Sequence, residues 1–409
     1  MTETTQLLSN GKARIFVATS PTEFAALRDD WRVLRKCSPA LNPATDPNVF
    51  AALFSIPEDR SEPHVVLCRR GTSPCALLLG RIRVRADVAR LGYLRIQKPK
   101  LRHLDVEYGG LATDGSPGSA DLVAGYCADL LRRRIVDCMT VNHLPCSGPL
   151  YARLGPMTGP HVPAEPHWRF RFAAGPYSAT MARFSRNHRH NIRRKDQLLT
   201  AKFNGAVRVA VFDRSGRCED FIRDAAHVAS QTYQVAIGAG FGDTSFWRTV
   251  LHSMAEHGLF RSYLLIAGER PIAFQVGCVV DNVYCLFQMG YLPEYHDLSP
   301  GSVLHCRVLE DLRSIGIEEI DYGFGDSSFK RIYGTHAWDE VTLHLCGRGV
   351  GALVCNCMEQ AVRTSTALGS WALNGVGYLE RVKRAWRSRA VACAQRDDAV
   401  KRAGSRSTR

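Results

Sequence analysis

Residues 299–334, SPGSVLHCRVLEDLRSIGIEEIDYGFGDSSFKRIYG, place a Ser-Pro-Gly-Ser turn before a helical pattern and a strand pattern. A second Ser-Pro-Gly-Ser turn at 116–119 is followed by the same two patterns, and apolar hairpin-like runs precede each turn. These runs lie within 64–85 in the first half and within 263–280 in the second half. The repeated order predicts a duplicated α/β domain, with the proline-rich stretch 155–176 as the connector.

The length and the pattern of elements set the expected domain plan. With 409 residues the chain is long enough for two or three domains. We predict an N-terminal domain at 1–175, a C-terminal domain at 176–350 and a basic helical tail at 351–409 whose end is disordered. The expected fold class is α/β, with a mixed, mainly antiparallel sheet flanked by helices in each of the two domains.

Cysteine usage and hydropathy indicate the compartment. No apolar segment has the length that a signal peptide or a spanning helix needs. The 14 cysteines show no framework spacing, which is typical of reduced thiols in the cytoplasm. Cys355 and Cys357 form a CxC pair without a second pair or a His cluster, so no metal site is predicted. We therefore expect a cytoplasmic protein, with peripheral contact at the inner membrane face as its one membrane role.

The formal net charge of +14 is concentrated in two segments. Residues 181–202 carry +6 and residues 376–409 carry +7, which leaves +1 for the rest of the chain. In the first segment, Arg189 and Arg193 are candidates for binding nucleotide phosphate, a lipid-linked sugar diphosphate or tRNA, and a solvated helix is the alternative. The second segment is predicted to form an amphipathic helix that packs on an anionic membrane surface or on the protein's own body.

The Ser-Pro-Gly-Ser turn itself points to a phosphate ligand. A turn at the start of a helix exposes backbone N–H groups that have no carbonyl partner within the helix. Those donors and the positive end of the helix dipole suit a phosphate group. Gly301 permits close backbone approach, and Ser302 is the candidate cap of the helix. We predict that Ser299, Gly301 and Ser302 bind a phosphorylated ligand.

Three segments resemble a known family: 184–200 (FSRNHRHNIRRKDQLLT), 291–312 (YLPEYHDLSPGSVLHCRVLEDL) and 320–334 (IDYGFGDSSFKRIYG). Their order and spacing resemble the GNAT acyltransferase fold, in which such a turn holds the pyrophosphate of coenzyme A. More specifically, the second half is similar to the CelD-like branch of polysaccharide biosynthesis, which is related to the Fem-type peptidyltransferases. The usual Gln/Arg-x-x-Gly-x-Gly/Ala signature is replaced by His-Asp-Leu-Ser-Pro-Gly-Ser at 296–302.

The resemblance implies an N-acyltransferase that uses acyl-CoA, with acetyl-CoA as the default cosubstrate and with no metal. Its expected acceptor is an amine-bearing small molecule or a lipid-linked sugar in envelope or exopolysaccharide assembly. Two alternatives stay open: a Fem-like transferase that uses aminoacyl-tRNA, and a non-catalytic component of a polysaccharide-synthesis complex. Few aromatic residues flank the basic segment, which disfavours general nucleic-acid binding.

Candidate catalytic residues follow from the needs of acyl transfer, in which the amine must be neutral and the departing thiolate takes a proton. Asp326 is the first candidate base and Asp321 the second, and Gln288 is a further candidate for the site. By analogy with the family, Tyr333 is the candidate acid and Lys330 holds a phosphate or carboxylate. The structural alternatives are a helix cap for Asp326, a solvated Lys330 and a core position for Tyr333. Because this set follows only the second turn, we predict that the second turn binds the donor.

Overall fold

The computed structural model describes residues 1–8, 11–38, 42–86, 88–91, 94–158, 163–232, 240–358 and 361. Its strands, in chain order, are β1 (Thr2–Leu8), β2 (Gly11–Ala18), β3 (Glu62–Arg70), β4 (Ser73–Arg85), β5 (Val88–Leu91), β6 (Leu94–Gln97), β7 (Leu101–Thr113), β8 (Cys138–Pro145), β9 (Glu165–Arg171), β10 (Val207–Phe212), β11 (Ser262–Ala267), β12 (Arg270–Val280), β13 (Val283–Tyr291), β14 (Glu319–Phe324) and β15 (His336–Cys346). Its helices are α1 (Pro21–Ala25), α2 (Arg28–Arg35), α3 (Pro47–Leu53), α4 (Pro117–Arg132), α5 (Pro149–Leu154), α6 (Tyr177–Met181), α7 (Arg186–Lys202), α8 (Cys218–Ala229), α9 (Ser245–Glu256), α10 (Pro300–Ser314) and α11 (Ser328–Tyr333). Short 3-10 turns lie at Pro43–Thr45, Gly155–Met157, Ser215–Arg217 and Pro293–Leu298, and residues 350–358 are helical.

The chain forms two compact units. Unit 1 consists of Met1–Arg169 together with the described residues from Tyr322 onward, and unit 2 consists of Phe170–Asp321. The predicted boundary at 175 lies close to the observed one at 169/170. The predicted second domain, 176–350, differs from unit 2, because the chain returns to unit 1 at Tyr322.

The predicted C-terminal tail is only partly covered. Of residues 351–409, the structure describes 351–358 and 361. The basic amphipathic segment predicted at 376–409 lies outside the described residues, and its membrane role stays a prediction.

The sheet of unit 1 runs in the order β1-β2-β3-β4-β7-β8-β15-β9, and β5 pairs with β6 in a separate ribbon. Neighbouring strands are antiparallel except β7 and β8, which are parallel. Strand β15 pairs with both β8 and β9, which is why the chain after Tyr322 belongs to this unit. Helix α4 packs on β4. The core between them includes Leu78, Leu104, Leu122, Leu130 and Leu343.

The sheet of unit 2 runs in the order β14-β13-β12-β11-β10, and all pairs are antiparallel except β13 with β14. Every residue of β11 is buried, as expected for a strand that is covered on both faces. Helices α8 and α10 both pack on β11, β12 and β13. Helix α10 buries Val303, Leu304, Val308, Leu309 and Leu312, whose spacing gives one apolar face.

The two units share one plan. The order β2-β3-β4-β7-α4-β8 in unit 1, with β5 and β6 inserted before β7, corresponds to β10-β11-β12-β13-α10-β14 in unit 2. In both units four antiparallel strands lead into a Ser-Pro-Gly-Ser turn, a helix and a parallel strand. The strand before each turn also carries a β-bulge, after Leu78 in the β4–β7 register and after Val276 in the β12–β13 register. The predicted fold class, tandem α/β domains with mainly antiparallel sheets, is therefore confirmed.

Candidate functional site

The site in unit 2 begins where β13 separates from β14. The two strands pair only over Val283–Cys285 and Glu319–Asp321, although β13 continues to Tyr291. Beyond Cys285 the described partner of β13 is β12 alone, and most of its residues there are half-buried. The bulge at Phe287, which has no counterpart on β12, bends β13 at this point. One edge of β13 therefore presents backbone N–H and C=O groups toward an opening.

The second Ser-Pro-Gly-Ser turn lies at the end of this strand. Ser299 has a left-handed backbone (φ 48°, ψ 50°) and forms no side-chain cap. The N–H groups of Ser302 and Val303 donate to the Ser299 carbonyl at 3.0 and 3.1 Å. Among the described residues, none accepts from the Gly301 N–H. The cap position belongs to Ser299 rather than to Ser302, so the prediction of a Ser302 cap is wrong, and the helix start keeps a free donor.

The basic segment predicted from the charge pattern is helix α7, and it packs beside this turn. The Lys195 ammonium donates to the Asp297 carbonyl, two residues before the turn begins. Asp196 accepts from Arg307 of α10 at 2.6 Å. Arg189 is half-buried and Arg193 is exposed, and neither has a hydrogen-bond or ion-pair partner within the part of the chain that the structure describes. Helix α7 therefore carries uncompensated positive charge on the element that supports the turn.

The first Ser-Pro-Gly-Ser turn, in unit 1, is closed by its own side chains. Ser116 has an extended backbone, and its Oγ accepts the Ser119 N–H at 3.3 Å. The two hydroxyls lie 2.9 Å apart, and Asp114 Oδ1 accepts the Ser116 N–H at 3.0 Å. Arg70 Nη2 donates to Ser119 Oγ at 3.3 Å. The N–H and the hydroxyl of Ser119 are therefore engaged within the first turn, whereas the second turn has no side-chain cap, and this contrast favours the second turn as the donor site.

The predicted catalytic residues Asp326, Lys330 and Tyr333 belong to unit 1, whereas the residues of the second turn belong to unit 2. The Asp326 carboxylate accepts from Arg331 Nε at 2.9 Å, and hydrogen bonds from Arg331 hold its pKa below the usual range. Ser327, not Asp326, caps α11, because its Oγ accepts the Lys330 N–H at 3.2 Å. The Lys330 ammonium donates to the carbonyls of Gly323 and Phe324 at the end of β14. Tyr333 is buried, with its ring 4.7 Å from that of Phe329.

The remaining candidates are placed as follows. Asp321 is buried in β14, in register with Cys285. Gln288 is half-buried in the part of β13 that leaves β14. Cys355 is buried and Cys357 is exposed. Throughout the described ranges, no three His, Cys, Asp or Glu side chains come together in a way that suits a metal ion.

Unit 1 also contains a buried polar cluster that sequence reasoning missed. Tyr108 Oη lies 2.6 Å from His167 Nδ1, which lies 3.2 Å from Glu340 Oε1. Trp338 Nε1 donates to the same Glu340 oxygen at 2.8 Å, and its indole stacks on the His167 ring at 4.2 Å. His167 and Glu340 are fully buried. Three strands that are distant in the chain supply these residues, so no local sequence pattern predicts the cluster.

Comparison with known proteins supports this architecture. Residues 186–331 match the family model described as acetyltransferase (GNAT) domain. The crystal structure of FemX aligns over 78% of this chain and 96% of that chain, with a TM-score of 0.54 and 9% identity. At this identity the similarity shows the fold alone. The predicted GNAT resemblance is confirmed at this level, and the CelD-like branch stays a prediction.

Two further solved structures align over similar lengths. One is the C-terminal domain (DUF2156) of a putative lysylphosphatidylglycerol synthetase from Agrobacterium fabrum, with 13% identity, a TM-score of 0.46 and coverage of 82% of this chain and 96% of that chain. The other is a tandem GNAT protein from the clavulanic acid biosynthesis pathway, with 10% identity, a TM-score of 0.44 and coverage of 81% and 98%. The sequence matches no curated protein. Within the described residues, no helix combines the length and apolarity that crossing a membrane requires.

Proposed function

We propose that this protein is an N-acyltransferase that moves an acyl group from acyl-CoA, with acetyl-CoA as the default, to an amine in envelope or exopolysaccharide biosynthesis. The observation that carries the proposal is the uncapped turn at Ser299–Ser302, which lies at the end of the half-paired strand β13 and beside the basic helix α7.

The donor site is proposed from these backbone features. The free Gly301 N–H and the N-terminal dipole of α10 suit the pyrophosphate of coenzyme A. The unpaired edge of β13 offers alternating N–H and C=O groups, to which the amides of an extended pantetheine arm can bond as an added strand. Arg189 and Arg193 on α7 supply positive charge for the phosphates.

The reaction is acyl transfer from a thioester. The amine nitrogen attacks the thioester carbonyl, a C–N bond forms, the C–S bond breaks, and the amine proton leaves while the thiolate is protonated. Tyr333 as the acid, Asp326 as the base and Lys330 as an anion contact remain predictions. The ion pair of Asp326 with Arg331 lowers its basicity, so the proposal does not depend on Asp326 as the base.

The test is calorimetric titration of the full chain with acetyl-CoA, longer acyl-CoAs and free CoA, repeated on Gly301→Glu. The matched control is Gly118→Glu at the same position of the closed turn, where a new Cβ would meet only the flexible end of Arg70. We expect micromolar binding that Gly301→Glu abolishes and Gly118→Glu preserves. A Cβ at residue 301 would lie 3.2 Å from the Tyr291 side chain, so thermal unfolding is used to check that each variant is folded. Absence of binding by any CoA species to the folded wild type would overturn the proposal.

A Fem-like, aminoacyl-tRNA-dependent transferase is the second candidate, and the unpartnered arginines of α7 favour it. The salt dependence of the binding affinity distinguishes the two donors. Contacts with many phosphates release many counterions, so affinity for tRNA should fall by orders of magnitude between about 50 and 200 mM salt. Affinity for CoA, which carries few phosphates, should fall much less. A chain that binds neither donor would support the non-catalytic role in a polysaccharide-synthesis complex.

A further inference from the structure

Unit 1 has its own gap between parallel strands, formed by β7 and β8. These strands pair only over His103–Val106 and Cys138–Val141, although both continue. In the β4–β7 register, four residues of β7 (107–110) face the single residue Leu79 of β4. This bulge bends β7 away from β8. At the last paired position Asn142 Nδ2 donates to the Val106 carbonyl at 2.8 Å and ends the ladder. The strands then border an open cavity of about 210 Å³.

The lining of this cavity is mainly apolar and carries one acidic residue. The hydrogen-bonding side chains that line it belong to Ser38, Glu107, Thr113, Asn142, His143 and Ser147. Glu107 is the single charged residue among the lining residues, and none of the described residues that line the cavity is Lys or Arg. A ligand with phosphate groups would therefore find no counter-charge here.

The charge of Glu107 is only partly compensated. Arg81 donates from Nε to Glu107 Oε1 at 2.6 Å and from Nη1 to Asp59 Oδ2 at 2.6 Å. Arg81 divides its guanidinium between Glu107 and Asp59, while Arg83 and Arg85 pair with Asp105, so Glu107 has only a shared counter-ion for its carboxylate charge. In a half-buried setting, where water screens weakly, that charge favours a cationic ligand.

The end of the cavity where a GNAT domain would place pyrophosphate is closed. Thr113 and Gly115 line the cavity immediately before the first Ser-Pro-Gly-Ser turn. In that turn, the side chain of Ser116 already satisfies the helix N–H of Ser119. In unit 1 the Ser119 N–H and hydroxyl are thus engaged within the turn, and the gap beside it is lined by a carboxylate rather than by Lys or Arg among the described residues, which favours a ligand of different charge.

His143 is the second recognition group of the gap. It lies on β8 with a left-handed backbone (φ 48°), which is strained for a residue other than glycine and is found often at functional sites. Its backbone N–H donates to Thr342 Oγ1 at 3.2 Å, and its ring stacks on Phe324 with centroids 3.4 Å apart. No described residue hydrogen-bonds to its ring nitrogens. Burial lowers the pKa of His143 to about 4, so the neutral imidazole offers one donor and one acceptor.

We propose that the β7–β8 gap of unit 1 binds a small polar molecule with a protonated amine, whose ammonium group pairs with Glu107 while its hydroxyl or amide groups bond to His143. The description of this amine as the acceptor of acyl transfer rests on the proposed function. The binding site itself rests on the gap, its single carboxylate and its closed phosphate end.

The test uses glucosamine as the probe, because it combines an ammonium group with several hydroxyls, and glucose as the probe without the amine. Binding to the full chain is measured by calorimetry and by ligand-observed NMR. We expect glucosamine to bind at least tenfold more tightly than glucose. Glu107→Gln should reduce this preference to about twofold or less, whereas Glu62→Gln, at an exposed carboxylate on β3, should preserve it.

Glu107→Gln also loses part of the ion pair with Arg81 and could therefore impair folding. A second variant tests the site without changing Glu107. Ser147 is exposed at the rim of the gap, so Ser147→Trp should block the cavity without disturbing the core. Loss of glucosamine binding in both folded variants supports the site. Unchanged binding in both variants, or no preference of the wild type for glucosamine over glucose, overturns the proposal.

Acetyl-CoA binding, measured on the same samples, separates this proposal from the proposed function. Both variants should bind acetyl-CoA as the wild type does. If acetyl-CoA fails to bind while glucosamine binding depends on Glu107, the amine site stands and the donor assignment fails. If acetyl-CoA binds and glucosamine binding is independent of Glu107, the gap proposal alone fails.

Discussion

Ser116 Oγ accepts the backbone N–H of Ser119 at 3.3 Å, which closes the first Ser-Pro-Gly-Ser turn. The equivalent residue of the second turn, Ser299, has a left-handed backbone and makes no such bond. Two copies of one four-residue motif therefore differ in capping: the first serine caps its helix through the side chain in one turn and makes no side-chain cap in the other.

The two turns should respond differently to loss of the first serine. Ser116→Ala removes a cap and should lower the stability of unit 1 by about 1 kcal/mol. Ser299→Gly removes no cap and relieves a left-handed serine, so stability should stay within about 0.5 kcal/mol of the wild type. Urea unfolding followed by fluorescence measures both midpoints. Equal losses in the two variants would show that Ser299 is a cap in solution.

Charge reversal on α7 should weaken binding of the acyl donor. Replacing both Arg189 and Arg193 by Glu turns attraction for phosphates into repulsion, and acetyl-CoA affinity should fall about tenfold at low salt. The matched control replaces both Arg208 and Arg214 by Glu, because they are exposed arginines of unit 2 on other elements and the net charge changes by the same amount. Calorimetry at two salt concentrations provides the measurement. A reduction of the same size in the control variant would mean that net charge alone accounts for the effect.

Glucosamine binding by unit 1 should weaken as the pH falls from neutral into the acidic range. Burial raises the pKa of Glu107 above its ordinary value, despite the opposing charges of Arg81 and Arg83 and with a contribution from Asp105. The carboxylate charge is present above this raised pKa and is lost as the pH falls through it, while the ligand keeps its ammonium group. The affinity of Glu107→Gln should be independent of pH in this range. A pH dependence that survives in Glu107→Gln would assign it to another group.

The buried His305 should make unit 2 sensitive to acid. Burial lowers the pKa of His305 to about 3, and its Nδ1 lies 3.0 Å from Gln275 Nε2 in the core. The unfolded state takes up a proton below pH about 6.5, whereas the folded state stays neutral until about pH 3, so stability decreases as the pH falls through this window.

The variant that tests this replaces both His305 and Gln275 by Leu, so that no buried polar partner is left unsatisfied. Urea midpoints of the wild type and the double variant are compared between pH 7 and pH 4. The wild type should lose up to about 1.4 kcal/mol more per pH unit than the double variant. Parallel curves for the two proteins would exclude His305 as the source of acid sensitivity.

Local patterns in the sequence predicted the order of elements, the two turns and the duplication. Turn chemistry, capping and apolar periodicity act within a few residues, and both halves repeat them. The basic segment at 181–202 was also identified from the sequence, and it contains all of α7. These features depend on residues that are neighbours in the chain, so they can be predicted without knowledge of the tertiary structure.

Tertiary structure decided what the repeated motifs do. Strand β15 joins unit 1 by pairing with β8, nearly 200 residues earlier, and Asp326, Lys330 and Tyr333 belong to unit 1, whereas the second turn belongs to unit 2. The left-handed Ser299, the charge left on Glu107 and the His167–Glu340 pair all depend on packing between distant strands and helices. Burial and partner geometry set the availability of each donor and each charge, and neither quantity is encoded in a window of neighbouring residues.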